Sequence, residues 1–242
     1  MKKAASILYY HFFTFIRSSK YIVPLIFLLV LQTSIYFASQ RRPVDFLNAI
    51  LIAETYAFII AIWLGFSSNG WINQTTEQLL IVRSKSDLIY YSIDAVFLFV
   101  ISLLISLICA FLPVLINLFD PYFFHQYLMT DFIYSFLLIL GISFAGISLG
   151  ALFHPRIIQK KSAIIYTFLV GILSVARIPI LSQQEGLRYL LWILPRLSAE
   201  SLQLSDYSSF IFPTVAKISL LSLLYGLFYS FIKILLLSKK KY

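Results

Sequence analysis

Hydrophobic residues dominate six long stretches of this chain, residues 21–38, 46–68, 93–116, 132–153, 162–181 and 210–237, and most of the polar residues fall between them. Each stretch is near or above the roughly 20 residues that carry a helix across a bilayer. In lipid every backbone N–H and C=O needs an internal partner, so segments of this length predict helices and not strands of an open sheet. The pattern predicts an all-α polytopic membrane protein, six transmembrane helices in one domain covering residues 1–242.

Residues 1–20 carry a different periodicity. At 3.6 residues per turn Lys3, Ser6, Tyr10, Thr14 and Arg17 fall on one side, and Ala5, Leu8, Tyr9, Phe12, Phe15 and Ile16 on the other. This predicts an amphipathic helix at the headgroup boundary, after which Arg17, Ser18, Ser19 and Lys20 turn the chain upright. Lys20 interrupts the approach to the first apolar stretch and no small-residue cleavage site precedes it, so the first span is expected to stay in the mature chain.

The connection at residues 69–92 is polar at its ends and apolar in its middle, where Leu79, Leu80 and Val82 lie between Glu77 and Arg83, Lys85 and Asp87. Such residues do not stay solvated singly, so a short helix is expected, its apolar side resting on the ends of the spans or on a soluble partner. Glu77 in the first turn and Arg83 in the last suit the helix dipole.

Composition narrows the class. Hydrophobic residues make up 60% of the chain and charged ones 12%, with a mean hydropathy of +0.90, which excludes an ordinary soluble core. The net charge of +9 does not point to nucleic acid, which would need basic residues on one folded face. They divide instead by membrane side. Lys2, Lys3, Arg17, Lys20, Arg83, Lys85, Arg156, Lys160, Lys161, Lys239, Lys240 and Lys241 fall on one side of a six-span topology, against Arg41, Arg42, Arg188 and Arg196 on the other. The positive-inside rule then places both termini in the cytoplasm of a multi-pass plasma-membrane protein.

Two short segments, with this architecture, carry a resemblance. Glu77-Gln78-Leu79-Leu80 followed by Arg83-Ser84-Lys85, and Leu190-Leu191-Trp192-Ile193-Leu194-Pro195 within residues 187–202, resemble the permease subunit of type-2 ABC exporters of the bacterial peptide and drug export type. The chain departs from that pattern at Val82-Arg83, where proline is common, and at Tyr91, Ser92 and Asp94, where a basic residue is usual. The resemblance implies that residues 77–87 form a coupling helix, with Glu77, Leu79, Leu80, Arg83, Lys85 and Asp87 docking on a nucleotide-binding subunit. It also implies re-entrant external helices within residues 182–209, a second permease protomer, and ATP with Mg used by the partner. The implied cargo is hydrophobic or amphipathic, an antimicrobial or similar peptide.

The chain has no Gly-x-x-x-x-Gly-Lys-Ser/Thr and its eight glycines are scattered, so no phosphate cradle and no bound cofactor are expected, and the chain is read as a transport subunit and not an enzyme. Within the spans, Glu54 sits about 12 Å below the boundary at Phe46 at ~1.5 Å per residue. It is a candidate functional charge, for packing or pairing on one reading and for substrate or proton on another. Arg177 and Lys217 are further candidates, whose plain role is to snorkel to headgroups. Asp94 and Lys233, near the cytoplasmic boundary, are expected to be solvated.

Gly146-Ile147-Ser148-Leu149-Gly150 matches the nucleophile elbow of hydrolases. In mid-span the same residues, with Gly141 and Ala145, make a small-residue surface for close helix packing. Two other classes therefore stand beside the exporter: an intramembrane hydrolase using Ser148 or Glu54, and a membrane anchor or sensor partner that transports nothing. Cys109 is read as an inert small hydrophobe, and His125 and His154 lack metal-ligand spacing.

Overall fold

The computed structural model describes residues 2–38, 44, 46–124, 129–183, 191–195, 197 and 212–239, with the side chains of 2, 3, 47, 48, 160 and 178–183 left out. The sequence positions Arg41, Arg42, His125, Arg188, Arg196, Lys240 and Lys241 lie outside the described residues, as does most of 182–209. The described residues form helices throughout: α1 (Lys2–Ser18), α2 (Ile22–Ala38), α3 (Phe46–Ser68), α4 (Gln74–Ser84), α5 (Asp87–Phe119), α6 (Met129–Leu152), α7 (Lys160–Gln183) and α8 (Phe212–Lys239). Among them no strand occurs, and one isolated bridge joins Val44 to Phe124.

Four helices, α3, α5, α6 and α8, are long and apolar enough to cross a bilayer, and α1 with α2, bent by 72°, makes a fifth if the pair is one span. α5 is longer than its apolar stretch because it begins at Asp87, whose carboxylate occupies the first turn after an extended Ser86. Asp87 thus opens α5 and does not close α4.

α6 is the axis of the bundle. Every residue from Leu138 to Ala151 is buried, and α3 and α8 pack along it, with α5 on a further side. The sequence permits this because the facing side chains are nearly absent. A Cβ built on Gly150 would stand 2.1 Å from the Ile62 carbonyl oxygen, and one on Gly65 2.0 Å from that of Ile147. Backbones in that contact leave no room for a side chain, which is the small-residue logic of helix association in lipid. Ser148 faces the other neighbour, α8, where it accepts a hydrogen bond from Ser230 Oγ at 3.0 Å.

α2 is fixed to α5 by a repair of the backbone. Pro113 sits inside α5 and has no N–H to give the carbonyl one turn back, at Cys109. Gln32 Nε2, fully buried on α2, donates to that carbonyl at 2.7 Å. A carbonyl orphaned in a membrane helix is thereby satisfied by a neighbour.

Candidate functional site

The α4 end of the bundle collects Arg17, Lys20, Arg83, Lys85, Arg156, Lys161 and Lys239 at element ends, and it encloses a buried polar cluster. α1 reaches it by burying a stripe of Ile7, His11 and Phe15, while Tyr9, Phe13 and Ile16 stay exposed on another face, as suits an interfacial helix. Ser19, in the left-handed region at φ 54°, makes the turn into α2. Lys20 Nζ donates to the Gly70 carbonyl at 2.9 Å, tying that turn to the connection that leads into α4.

α4 has two faces. Glu77, Leu80, Ile81 and Ser84 are buried, and Leu80 and Ile81 pack in a cluster with Ile7, Tyr90, Tyr91 and Leu237. On the opposite side Leu79 is 66% and Val82 76% exposed, flanked by exposed Arg83 and Lys85. The helix ends on Lys85 in a left-handed conformation, its N–H returning to the Val82 carbonyl. Of the six residues that the resemblance would assign to a coupling segment, Glu77 and Leu80 face the protein, Leu79, Arg83 and Lys85 face outward, and Asp87 lies at the start of α5.

Glu77 is the inner anchor. Tyr91 OH donates to its Oε1 at 2.8 Å, Arg156 Nη1 lies 3.7 Å and His154 Nε2 3.8 Å from the same oxygen, and Arg156 Nη1 also donates to Tyr91 OH. Burial raises the Glu77 carboxyl above its ordinary value, opposed by the Tyr91 hydrogen bond and the Arg156 charge. His154 Nδ1 accepts from the Arg156 backbone N–H at 3.2 Å, so a neutral imidazole carries its proton on Nε2, toward Glu77. Burial, with the charges of Lys233 and Arg156, pushes this histidine down to about 3.

Beside it stands a second charged set. Lys233 Nζ of α8 donates to Asp94 Oδ2 of α5 at 2.7 Å, and His11 Nδ1 lies 3.7 Å from Asp94 Oδ1. Lys233 is 5% exposed, so the expectation that Asp94 and Lys233 are merely solvated is overturned. Each neutralises the other, which is how a buried charge is tolerated. Burial lowers the His11 imidazole, opposed by Asp94. The two sets share a cavity of about 30 Å³ lined also by Asn69 and Trp71, with room for about two waters.

Comparisons with protein-family models, curated proteins and solved structures found no match.

The other sequence candidates scatter. Glu54 is buried on α3, 1% exposed. Lys217 is exposed near the start of α8, where its stem can snorkel. Arg177 does not snorkel: it is 1% exposed, and its Nη1 donates to the carbonyls of Leu191 at 2.8 Å and Leu194 at 2.6 Å. Gly141, Ala145, Gly146, Ser148 and Gly150 are all buried in α6. The histidines described, His11 and His154, are engaged with Asp94 and Glu77 in the α4-end cluster, which leaves Ser148 paired with Ser230 and not with a base. The cluster itself was missed by sequence reading, yet it left a signal. Asp94 and Lys233 are opposite charges at similar depth near one boundary, and pairing is the cheapest way to keep both there.

Proposed function

We propose that this chain is the membrane-spanning permease subunit of an ATP-driven ABC exporter, with six spans, both termini in the cytoplasm, and α4 as the helix that couples it to a separate nucleotide-binding subunit. The carrying observation is the two-faced α4. Its inner face is keyed into the bundle by Glu77, while its outer face presents Leu79 and Val82 beside Arg83 and Lys85 at the basic end. An apolar pair exposed among charges on a short helix is the form of a docking surface.

The inner anchors supply a path for coupled motion. Force on α4 reaches α5 through Tyr91 and the α6–α7 connection through His154 and Arg156, and the adjoining pair ties α5 to α8. Displacing α4 as a rigid unit thus moves the ends of three membrane helices. Two such subunits face each other around the pathway in this reading, because one set of helices encloses little by itself. The cargo is hydrophobic or amphipathic, in keeping with spans rich in Leu, Ile and Phe and poor in fixed charge.

The test is co-expression with the ABC nucleotide-binding subunits of the host, followed by co-purification and ATPase assay in lipid. A stable complex is expected, with ATPase activity reduced about tenfold or more by Val82→Asp. If no such subunit co-purifies with the wild-type chain, the exporter reading is wrong.

A further inference from the structure

Three polar atoms around the cavity at the α4 end find no hydrogen-bond partner among the described residues: His11 Nε2, Asn69 Oδ1 and Trp71 Nε1. All three are enclosed by protein, and the His11 and Trp71 side chains are buried. They come from separate elements, His11 from α1 and the other two from the connection between α3 and α4. The Trp71 ring is held in an aromatic group with Phe15 and Phe97. The Asn69 amide nitrogen donates to the Phe153 carbonyl at 3.3 Å, so the end of the amide left over is its oxygen. A buried polar group without a partner costs as much as a lost hydrogen bond, and three of them around one cavity of about 30 Å³ call for an occupant.

What these atoms demand identifies its chemistry. An indole N–H only donates and an amide oxygen only accepts. His11 Nδ1 lies 3.7 Å from Asp94 Oδ1, and a carboxylate on that side favours the proton on Nδ1, which leaves Nε2 an acceptor. The occupant must therefore give two protons and take one. A halide takes the Trp71 proton but has none to give Asn69, and it would stand beside the carboxylates of Asp94 and Glu77. An alkali cation suits Asn69 and His11, but it would meet the indole proton and the Lys233 ammonium, which line the same cavity. Water satisfies all three atoms with one lone pair to spare, and the volume admits a second molecule to use it.

We infer that this cavity is a binding site for water, about two molecules of it, and that one of them bridges His11 of α1 to Asn69 and Trp71 at the entry to α4. The interfacial helix is thereby tied by a polar contact to the segment that carries α4. A water bridge is nearly as good as a direct hydrogen bond, and it can change partners when α4 shifts without stranding a buried donor. The site owes nothing to the exporter reading and stands or falls separately from it.

The test is hydroxyl-radical labelling of the full chain in lipid nanodiscs, where a buried side chain is modified only if water adjoins it. Tyr90 and Tyr91 line the cavity and Tyr36 does not, although all three are buried. The cavity pair is expected to label about fivefold faster than Tyr36 or more, and equal rates would overturn the inference. The bridge is tested by a double-mutant cycle on the thermal-unfolding midpoint with His11→Leu and Asn69→Leu. Loss of the Asn69 bond to Phe153 is common to both Asn69 arms and cancels. Because the two side chains share one water, the double variant should shift the midpoint by about two thirds of the summed single shifts or less. Additive shifts would overturn the bridge. If either variant does not purify folded, Trp71→Phe keeps an aromatic ring and removes the donor. It is expected to slow Tyr90 and Tyr91 labelling about twofold or more with Tyr36 unaltered, and an unchanged Tyr90 and Tyr91 rate would overturn the bridge equally.

Discussion

Where α3 meets α6, Gly65 and Gly150 bring backbones so close that an added Cβ would overlap a carbonyl oxygen. At the α4 end, α5, α8 and the α6–α7 connection meet instead through carboxylates, imidazoles, a lysine and an arginine around a small cavity. The first contact is rigid because it has no rotamers to change, and its steep repulsion makes it all or none. The second is assembled from side chains with several protonation states and alternative partners, so it can rearrange while staying satisfied. A membrane protein that transmits motion needs both: a core that moves as one body and an end where the motion is received.

Breaking the core is expected to have the largest effect. Gly150→Val sets a branched side chain against the Ile62 carbonyl, costing more than about 3 kcal/mol, with collapse of the monodisperse peak on size exclusion in detergent. Next comes the buried pair. Lys233→Met or Asp94→Asn alone leaves a charge or a donor stranded and is expected to destabilise by about 3–5 kcal/mol, whereas the double variant should recover most of the loss. A thermal-unfolding double-mutant cycle reads the difference, and additive single effects would show that the pair is not coupled.

Glu77→Ala is expected to cost about 2 kcal/mol, because it removes the acceptor of the buried Tyr91 hydroxyl proton and the carboxylate beside Arg156. The pH dependence follows from His154. Its folded value lies below the unfolded one, so in acid the unfolded chain takes up a proton that the folded chain refuses. The stabilisation is whole above about pH 6.5 and declines as the pH falls toward about 3. By pH 5 the loss should reach about 1–2 kcal/mol. The raised Glu77 carboxyl works in the opposite sense, so the histidine component is the difference between wild type and His154→Asn, which should flatten the profile. Smallest of all, Leu79→Ala and Val82→Ala should change stability by less than about 0.5 kcal/mol, since both side chains are exposed.

Much of this division could be read from the sequence, and some could not. The long helices follow from apolar length alone, and close packing from the small residues of α6, although these divide between two neighbours, Gly141 meeting α8 and Gly146 and Gly150 meeting α3. Leu79 and Val82 could be recognised as apolar residues in a polar connection, but the face that each one takes depends on what lies behind α4. Glu77 suited both an outward contact and an inward anchor. Only Tyr91 on α5 and His154 and Arg156 in the α6–α7 connection, brought together around it, decide for the second. Lys233 and Asp94 are 139 positions apart, and one chain offers no signal for that distance beyond matching depth and opposite sign. Arg177 misled for a related reason: at the end of an apolar stretch it reads as a snorkelling cation, and its partners are carbonyls that carry no mark in the sequence.

The central claim is that α4 holds the bundle with one face and a nucleotide-binding subunit with the other. Hydrogen exchange across residues 74–84, measured for the chain alone and with that subunit bound in the presence of ATP, tests it most directly. The account predicts added protection along α4 on complex formation, abolished by Val82→Asp while the unbound helix keeps its wild-type protection. Unchanged exchange in α4, with protection arising elsewhere, would contradict it.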